Sequence, residues 1–300
     1  MNRLLDKRKL ADRVWMYVVD APRVARKRKA GQFVILRLWE GGERIPLTIA
    51  DADPVAGTVT LVVQEVGKTT AMMARMNPGD EIRDFVGPLG APTHIEKVGT
   101  VVMVGGGIGI APAHPIAQAM KQAGNHVISI LGGRTKSLVI MEEEMRRASN
   151  EVVVVTDDGS YGEKGFVTTV LKRYVEEPGR VNIVVAIGPA VMMKAVSELT
   201  RPHGIHTVVS LNTIMVDGTG MCGGCRVSVG GENKFVCVDG PEFDGHLVDF
   251  DNMMARQRAY MEEEKEAMAG WQEAGEPGVH ECRLKRQFDA ELDLHAGSTK

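Results

Sequence analysis

The sequence is poor in cysteine, and it lacks long apolar runs and basic stretches. Four cysteines in 300 residues are too few for a secreted scaffold held together by disulfides. No apolar run approaches the ~20 residues of a membrane-spanning helix, and the basic, polar start Met1–Arg13 lacks the apolar core of a signal peptide. No basic stripe interleaved with aromatic residues indicates nucleic-acid binding. The sequence therefore predicts a cytoplasmic protein, with no membrane insertion and no nucleic-acid partner.

The composition is that of a globular protein. Hydrophobic residues make up 44% and charged residues 25% of the chain, and the formal net charge is -3. This apolar fraction is enough to build a core. Because a single core rarely grows beyond about 250 residues, a chain of 300 residues predicts two domains and an appendage.

Residues 1–97 carry short β-patterned runs that are separated by turn residues. Val14–Val19, Gln32–Trp39, Gly57–Val66 and Asp80–Val86 have the length and the apolar pattern of strands. Only one segment, at positions 68–76, has the pattern of a short helix. Closely spaced strands with little helix predict an antiparallel β-barrel.

From residue 98 to 210 the pattern alternates between apolar strands and helices. Thr100–Val104, Val127–Leu131, Val152–Thr156 and Asn182–Ile187 are predicted strands, with helical segments between them. Strands that alternate with helices across short joints predict a doubly wound parallel sheet.

A glycine-rich turn joins the first strand of this sheet to its helix. Glycines there allow main-chain amides to approach a pyrophosphate, whose negative charge the helix N-terminus favours. A tight turn without a ligand is the alternative explanation for such glycines. The candidate residues of the turn are Gly105, Gly106, Gly107, Ile108 and Gly109.

Polar or glycine-bearing residues also follow the later strands of the sheet. Open α/β sheets bind ligands at the carboxyl ends of their strands, so these residues and the glycine turn together predict a dinucleotide site. Cations near Arg134 favour a 2′-phosphate and the acidic run Glu142–Glu144 opposes one, so NAD and NADP both remain open. The candidate residues are Arg134, Asp157, Asp158, Gly159, Gly188 and Met192.

Two motifs in the barrel suit an anionic or aromatic ligand. The segment Arg44–Thr48 offers a guanidinium to a phosphate and a hydroxyl to a ring nitrogen. The segment Gly67–Thr70 opens the short helix with a cation and two hydroxyls. A helix cap or a strand edge is the alternative in each case. The candidate residues are Arg44, Pro46, Leu47, Thr48, Gly67, Lys68, Thr69 and Thr70.

Three of the four cysteines, Cys222, Cys225 and Cys237, crowd into a glycine-rich segment. In a reducing compartment such a group indicates a metal site before it indicates disulfides. C-x4-C-x2-C followed by a distant cysteine is the plant-type [2Fe–2S] spacing, and Asp217 holds its first position here. Zinc, bound by the three thiolates and a carboxylate or His246, is the competing interpretation, but the second C-x2-C pair typical of zinc is missing. The sequence favours the iron–sulfur site.

The chain is predicted to end in a helix and a polar tail. Asp249–Ala269 has the pattern of one charged helix, and no structure is predicted for the last ~30 residues because their hydrophobicity is low. Cys282 in this tail is interpreted as a spare thiol. The predicted divisions of the chain are residues 1–97, 98–210, 211–249 and 250–300.

Together the motifs resemble those of the ferredoxin–NADP reductase superfamily, in the branch with a C-terminal [2Fe–2S] segment. Asp217 in place of the first cysteine is similar to the small (alpha) subunits of electron-bifurcating NADH-dependent reduced ferredoxin:NADP oxidoreductases, also known as sulfide dehydrogenases. The related electron-transfer subunits of NAD-linked dihydroorotate dehydrogenases generally lack it. The resemblance covers residues 1 to about 250 and rests on the ordered segments Arg44–Thr48, Gly67–Thr70, Gly105–Pro112, Asp157–Gly162, Gly188–Met193 and Asp217–Cys237.

The resemblance implies FAD on the barrel, NAD(H) or NADP(H) on the parallel sheet and one [2Fe–2S] cluster in the lobe that follows. Its motif adds Val62, Val63 and Gln64 to the flavin contacts, and it leaves Arg44 one residue ahead of the family's arginine. Hydride is then expected to pass between nicotinamide and flavin, and single electrons through the cluster. This chemistry belongs to the cofactors, so no catalytic side chain is expected.

The resemblance also implies a partner, a larger flavoprotein subunit with further iron–sulfur clusters, since this chain has cysteines for only one. It favours NAD(H) as the dinucleotide. The first alternative is the same machinery serving a dihydroorotate dehydrogenase. The second is a zinc-stapled nucleotide-binding subunit with no redox role.

Overall fold

The computed structural model describes residues 2–275, which form a β-barrel, a parallel-sheet domain and a small C-terminal lobe. The elements of the barrel are β1 (Asn2–Ala11), β2 (Val14–Asp20), α1 (Pro22–Lys27), β3 (Phe33–Arg37), β4 (Ile45–Asp53), β5 (Thr58–Gln64), α2 (Lys68–Met73), β6 (Glu81–Ile82) and β7 (Asp84–Leu89).

The barrel strands pair in the order β6-β1-β2-β5-β4-β3-β7, and every pair is antiparallel. The two end strands are separated along the chain only by Arg83, so the sheet nearly closes on itself. Alternate side chains of each strand point inward. Tyr17, Leu36, Ile49 and Leu61 are among those that fill the interior. The predicted antiparallel barrel is confirmed.

Two barrel elements differ from the sequence prediction. The polar segment Asn2–Ala11 is a strand in which only Leu4 is buried, and it is held by its main-chain pairing with β2. Helix α1 begins at Pro22, a residue that suits the first turn of a helix, so the barrel has a second short helix. Neither segment shows the apolar periodicity from which the other elements were predicted.

The second domain and the lobe follow without a long linker. The second domain contains β8 (Thr100–Gly106), α3 (Ile110–Gln122), β9 (His126–Gly133), α4 (Glu142–Ala148), β10 (Glu151–Thr156), β11 (Glu163–Lys164), α5 (Val167–Val175), β12 (Ile183–Ile187), α6 (Ala190–Thr200) and β13 (His206–Ser210). The remaining elements are β14 (Arg226–Val229), β15 (Glu232–Phe235), β16 (Glu242–Asp244), α7 (Phe250–Gln257) and α8 (Met261–Glu273).

The second sheet has the order β11-β10-β9-β8-β12-β13-β16, and all its pairs are parallel except β13 with β16. The predicted parallel sheet is therefore confirmed. Strand β16 comes from the segment after the cysteines, so the lobe is joined to the sheet edge. Within the lobe, β14 and β15 form a two-stranded hairpin.

The C-terminal part corrects one prediction. The single charged helix predicted for Asp249–Ala269 is two helices, α7 and α8, separated by a turn at residues 258–260. Helix α8 extends past the predicted end and buries Trp271. Residues 276–300, with Cys282, lie outside the described residues. Among residues 2–275, no helix is both long and apolar enough to span a membrane.

Candidate cofactor sites

Strands β4 and β5 present one face to the barrel interior and the other outward. Leu47 packs against the barrel core and Val63 is part of it, so any contact from these two to a ligand on the outer surface would use main-chain atoms. Because side chains alternate along a strand, the outward face carries the other candidates. They are Pro46, Thr48, Val62 and Gln64. This outward face is the candidate flavin surface.

Helix α2 follows β5 and begins after Gly67. A Cβ atom added to Gly67 would meet nothing within 4 Å, so there is open space in front of the first turn. The first N–H groups of a helix have no partner within it, and Lys68 adds a positive charge there. This end of α2 fits the pyrophosphate of a dinucleotide flavin.

The two threonines of this turn have structural partners. The Thr70 hydroxyl oxygen accepts hydrogen bonds from the Val66 and Gly67 N–H groups at 2.9 and 3.0 Å, and the hydroxyl donates to the Gly67 carbonyl. The Thr69 hydroxyl donates to the Glu43 carboxylate. Their side chains therefore shape the turn, and the donors that face the open space are main-chain N–H groups.

Arg44 lies at the start of β4 and points to the cysteine segment. Its Nε donates to the Val216 carbonyl at 2.6 Å, and one terminal nitrogen lies 3.5 Å from the Asp217 carbonyl. The guanidinium thus contacts the cysteine segment, and its predicted phosphate contact stays a prediction. It joins the barrel to the loop that carries the predicted cluster ligands.

The glycine turn of the second domain lies between β8 and α3. Gly107 has φ +55°, and a Cβ added there would meet nothing within 4 Å, so this residue borders open space. Gly109 packs directly against the Ile187 carbonyl, where no side chain fits. The neighbouring Gly106 and Gly188 both lie against Met192. The turn therefore has the close packing and the open side that a bound pyrophosphate requires.

Helix α3, which follows this turn, packs against strand β4 of the barrel. The ring of His114 is buried, and its Nδ1 lies 3.1 Å from the carbonyl oxygen of Ala50 in β4. Donation to a carbonyl requires the proton on Nδ1. Helix α3, which follows the glycine turn, is thereby held to strand β4 of the candidate flavin surface. Sequence reasoning missed His114, and a histidine within an apolar helix was its only signal.

The loops that follow β9 and β10 are joined by main-chain hydrogen bonds at the carboxyl ends of these strands. The N–H groups of Asp157 and Asp158 donate to the carbonyls of Gly133 and Arg134 at 3.1 and 3.3 Å. The side chains of Arg134, Asp157 and Asp158 are exposed, and so is the neighbouring residue Gly159. These predicted residues are brought together at the carboxyl ends of the strands.

An aromatic ring lies beside these loops. The Lys136 ammonium lies 5.0 Å from the centroid of the Tyr161 ring, and the Tyr161 hydroxyl donates to Glu142 at 3.2 Å. Arg146 donates to the same carboxylate at 2.6 Å. Hydrogen bonding to Glu142 raises the pKa of Tyr161 above its ordinary value. Glu142 is thus engaged by two partners, and Tyr161 has a fixed orientation.

The cysteine segment brings two of its thiols together. Cys225 and Cys237 are buried with their Sγ atoms 3.3 Å apart, close enough to bind one metal centre, whereas Cys222 is exposed. Burial and the hydrogen bond with Cys225 raise the pKa of the Cys237 thiol to about 12. In residues 2–275, no three His, Cys, Asp or Glu side chains are grouped as a complete metal site. The paired soft thiols nonetheless fit an iron–sulfur centre.

Asp217 organises the loop in front of these cysteines. Its carboxylate accepts hydrogen bonds from the N–H groups of Thr219, Met221 and Cys222 at 3.0, 2.9 and 2.8 Å. These bonds lower the pKa of Asp217 to about 2. The carboxylate therefore lies beside Cys222 in its charged form. Its loop-capping role is visible, and its role as an iron ligand stays a prediction.

His246 does not join the cysteines. Its Nε2 lies 2.9 Å from the Thr200 hydroxyl, and its main-chain carbonyl accepts from Arg201. Burial lowers the pKa of His246. The alternative zinc set that included this side chain is not assembled.

Comparisons with known proteins agree with this arrangement. A family model described as the iron–sulfur cluster binding domain of dihydroorotate dehydrogenase B matches residues 212–249, and one for the oxidoreductase NAD-binding domain matches residues 103–198. The dihydroorotate dehydrogenase B (NAD(+)) electron transfer subunit of Geobacillus thermodenitrificans is 34% identical over 250 residues, 80% of this chain and 94% of that protein. The chain belongs to the dihydroorotate dehydrogenase B electron transfer subunit family.

Two other proteins are more similar to this chain than the Geobacillus thermodenitrificans subunit is. The electron transfer subunit homolog of Thermotoga maritima is 49% identical over 265 residues, which cover 88% of this chain and 93% of that protein. A solved chain of an NADH-dependent reduced ferredoxin-NADP oxidoreductase, described for flavin-based electron bifurcation, is 44% identical with a TM-score of 0.85. That match covers 90% of this chain and 98% of that one.

The family and the fold confirm the predicted resemblance. The protein is a flavin-dependent NAD(P)H oxidoreductase subunit of the ferredoxin–NADP reductase type, with FAD, an iron–sulfur cluster and a nicotinamide nucleotide as cofactors. The alternative of a zinc protein without a redox role is therefore set aside.

Proposed function

We propose that this chain exchanges hydride between NAD(H) and FAD and relays single electrons through a [2Fe–2S] cluster to or from a larger flavo-iron–sulfur partner, as in electron-bifurcating ferredoxin:NADP oxidoreductases. When bound, the flavin and the cluster supply the two-electron and one-electron chemistry. The residues of the chain bind and orient these groups. We also propose a cytoplasmic location.

The observation that carries the proposal is the bond from Arg44 to the cysteine loop. Arg44 stands directly before the strand that bears Pro46 and Thr48, and its Nε lies 2.6 Å from the Val216 carbonyl. The Gly218 backbone packs against Ile35 and Leu89 of the barrel, and an added Cβ would lie 2.7 Å from the Leu89 side chain. The candidate flavin surface and the candidate cluster loop are therefore neighbours, as an electron relay requires.

The proposed residue roles follow from this geometry. Gly67 and the first turn of α2 would bind the flavin pyrophosphate, and Gly107 with the α3 N-terminus would bind the nicotinamide dinucleotide. Asp217, Cys222, Cys225 and Cys237 would hold the cluster. NAD(H) is proposed over NADP(H) because relatives of this chain are electron transfer subunits of NAD(+)-linked dihydroorotate dehydrogenase B.

The surface around Cys222 supports a protein partner. Cys222 is exposed, and so are Val216, Met221 and Val238, whose residue surfaces remain 48%, 88% and 47% accessible. Apolar side chains grouped at an exposed surface mark interaction sites. A larger subunit that covers this surface would bring its own redox group close to the proposed cluster.

The proposal is tested on protein purified without oxygen. We expect a flavin absorption spectrum, an EPR signal of a reduced [2Fe–2S] cluster, and flavin reduction by NADH in stopped-flow experiments faster than by NADPH. A protein that contains zinc but no iron, or one whose flavin NADH leaves oxidised, would contradict it.

The nature of the partner is tested by co-purification from the native source. A partner that carries flavin and several iron–sulfur clusters is expected, and the complex should couple NADH and ferredoxin to NADP reduction. A complex that oxidises dihydroorotate would establish the alternative function of this family instead.

A further inference from the structure

The chain continues beyond the matched cluster domain, which ends at residue 249, into a pair of helices. This segment, the C-terminal strap, comprises residues 249–273 with helices α7 and α8. Its first end lies on the cysteine lobe and its second end lies on the barrel. Three sets of contacts define its course.

The first set places α7 against the cysteine lobe and helix α6. Phe250 and Met253 are buried in the same apolar cluster as Cys225 and Cys237. Asp251 forms an ion pair with Lys194 of α6 at 2.8 Å. Helix α7 is therefore packed on strand β14, which directly follows Cys225, and on helix α6, which follows the Gly188 loop.

The second set reaches the cysteine loop itself. Arg256 donates through a terminal nitrogen to the carbonyl of Gly224 at 3.2 Å. Gly224 lies between Cys222 and Cys225, so the guanidinium holds the main chain between two predicted ligands. The next residue, Gln257, donates to the carbonyl of Asn212.

The third set lies on the barrel. Helix α8 runs across α2, where Trp271 is buried in the barrel core and Met268 packs against that core. The Arg75 guanidinium, two residues after the end of α2, lies 5.1 Å from the centroid of the Trp271 ring. A cation over an indole face is a favourable contact that fixes both side chains.

We propose that the C-terminal strap positions two cofactor sites at once: Arg256 holds the cluster loop, and Trp271 supports α2 at the flavin pyrophosphate. The guanidinium does so through the Gly224 carbonyl and adds positive charge beside the cluster. Hydrogen bonding and net charge near an iron–sulfur cluster set its reduction potential. Arg256 therefore favours the reduced cluster. This inference rests on the proposed ligands and on α2 as the flavin site.

The cluster end of the strap is tested with Arg256→Ala and Arg256→Lys in the full chain. The matched control is Arg258→Ala, because Arg258 is an exposed arginine two residues away. In Arg256→Ala the potential from EPR-monitored titration should fall, and iron should be lost to a chelator about tenfold faster, as for other outer-shell partners. Arg256→Lys keeps the positive charge but not the guanidinium geometry. It should therefore restore most of the reduction potential and less of the resistance to iron loss.

The barrel end is tested with Trp271→Ala and Trp271→Phe. Trp271→Ala should raise the FAD dissociation constant about tenfold, which corresponds to about 1.4 kcal/mol, with an unchanged cluster EPR signal. Trp271→Phe keeps an aromatic ring in the core and should give a smaller rise. If Trp271→Ala does not fold, Trp271→Phe decides, and an unchanged FAD affinity in the folded variant overturns this end.

The outcomes separate this inference from the proposed function. A wild-type protein that binds no iron–sulfur cluster defeats the proposed ligands. A wild-type protein with a normal cluster, in which Arg256→Ala and Arg258→Ala behave alike, overturns the strap alone.

Discussion

The hydroxyl of Thr93 donates a hydrogen bond to the Glu242 carboxylate at 2.5 Å. Thr93 belongs to the segment that connects the barrel to β8, and Glu242 begins β16 at the edge of the parallel sheet. Both line a cleft that also contains His94 and His206. Burial raises the pKa of Glu242 to about 7, although the bond from Thr93 favours the charged form.

This pKa predicts a pH-dependent stability. A glutamate in the unfolded chain has a pKa of about 4.3. Below that pH the buried, protonated Glu242 makes its full contribution to the stability of the folded protein. As the pH rises, Glu242 loses its proton in the unfolded chain before it does so in the folded protein. The free energy of unfolding therefore falls until Glu242 ionises in the folded protein near pH 7. The loss amounts to at most about 4 kcal/mol.

Glu242→Gln should remove this dependence. The amide oxygen still accepts the Thr93 bond, and no proton is titrated. We expect the melting temperature of the variant to change less than that of the wild type between about pH 5 and about pH 8. Parallel curves for the two proteins would show that Glu242 does not titrate as described.

Gly67→Asp should expel FAD without unfolding the barrel. The backbone of Gly67 is extended, its Cβ direction is open, and an aspartate at an N-cap differs from glycine by only about 0.5 kcal/mol in helix stability. Its carboxylate would take up the N–H groups proposed for the pyrophosphate. The flavin-to-protein ratio after purification measures the effect.

Gly67→Ala is the graded control for this prediction, because it adds volume without charge. We expect it to retain more flavin than Gly67→Asp and to melt somewhat below the wild-type temperature, because alanine is a poorer N-cap than glycine. A folded Gly67→Asp protein with a full flavin content would exclude α2 as the pyrophosphate site.

Gly107→Asn should weaken NADH binding. Asparagine tolerates a positive φ, so the backbone at φ +55° is kept while the open space is filled. A loss of about 1.4 kcal/mol corresponds to a tenfold higher dissociation constant. Stopped-flow flavin reduction at several NADH concentrations gives this constant, and reduction by dithionite should be unaffected.

The matched control is Gly204→Asn. Gly204 has φ +62° and also borders open space, but it lies before β13 at the amino ends of the parallel strands, whereas the glycine turn lies at their carboxyl ends. The prediction fails if both variants bind NADH equally well.

The outward surface of the barrel and the turns of the sheet were predictable from local patterns. Apolar runs such as Thr100–Val104, the glycine turn and the cysteine spacing each signal their structure within a few residues. Asn2–Ala11 gave no such signal, because its outward side chains are charged and its pairing partner decides its conformation. The bond from His114 to Ala50 and the burial of Trp271 in the barrel core join residues that are far apart in the chain. Local sequence patterns carry no information on such contacts, so neither could be predicted.

His114→Ala should slow hydride transfer while NADH binding changes little. The bond from His114 to the Ala50 carbonyl fixes α3 against the flavin strand, and a misplacement of about 1 Å costs on the order of a hundredfold in rate. We expect a lower limiting rate of flavin reduction at an unchanged dissociation constant. His114→Gln, which keeps a donor, should recover part of the rate, and a changed dissociation constant alone would argue against a positioning role.

Asp217 can be tested as a ligand and as a loop cap. Asp217→Ala removes three main-chain hydrogen bonds and the proposed ligand, so the cluster should become labile. Asp217→Cys should keep the cluster with a shifted potential and EPR signal, because thiolate donates charge to iron more covalently than carboxylate. Cys282→Ser should change neither the lability of the cluster nor its potential and EPR signal. An unchanged cluster in Asp217→Ala together with its loss in Cys282→Ser would identify the tail cysteine as the fourth ligand.

The thiols of Cys225 and Cys237 share one apolar cluster with Val209 of the parallel sheet and Met193 of α6. The hairpin β14–β15 offers too few residues to build a core of its own. The two thiols are therefore expected to come together only as the nucleotide domain folds. Folding of that domain is therefore expected to precede binding of the proposed cluster, and Cys222 is the exposed cysteine of the loop.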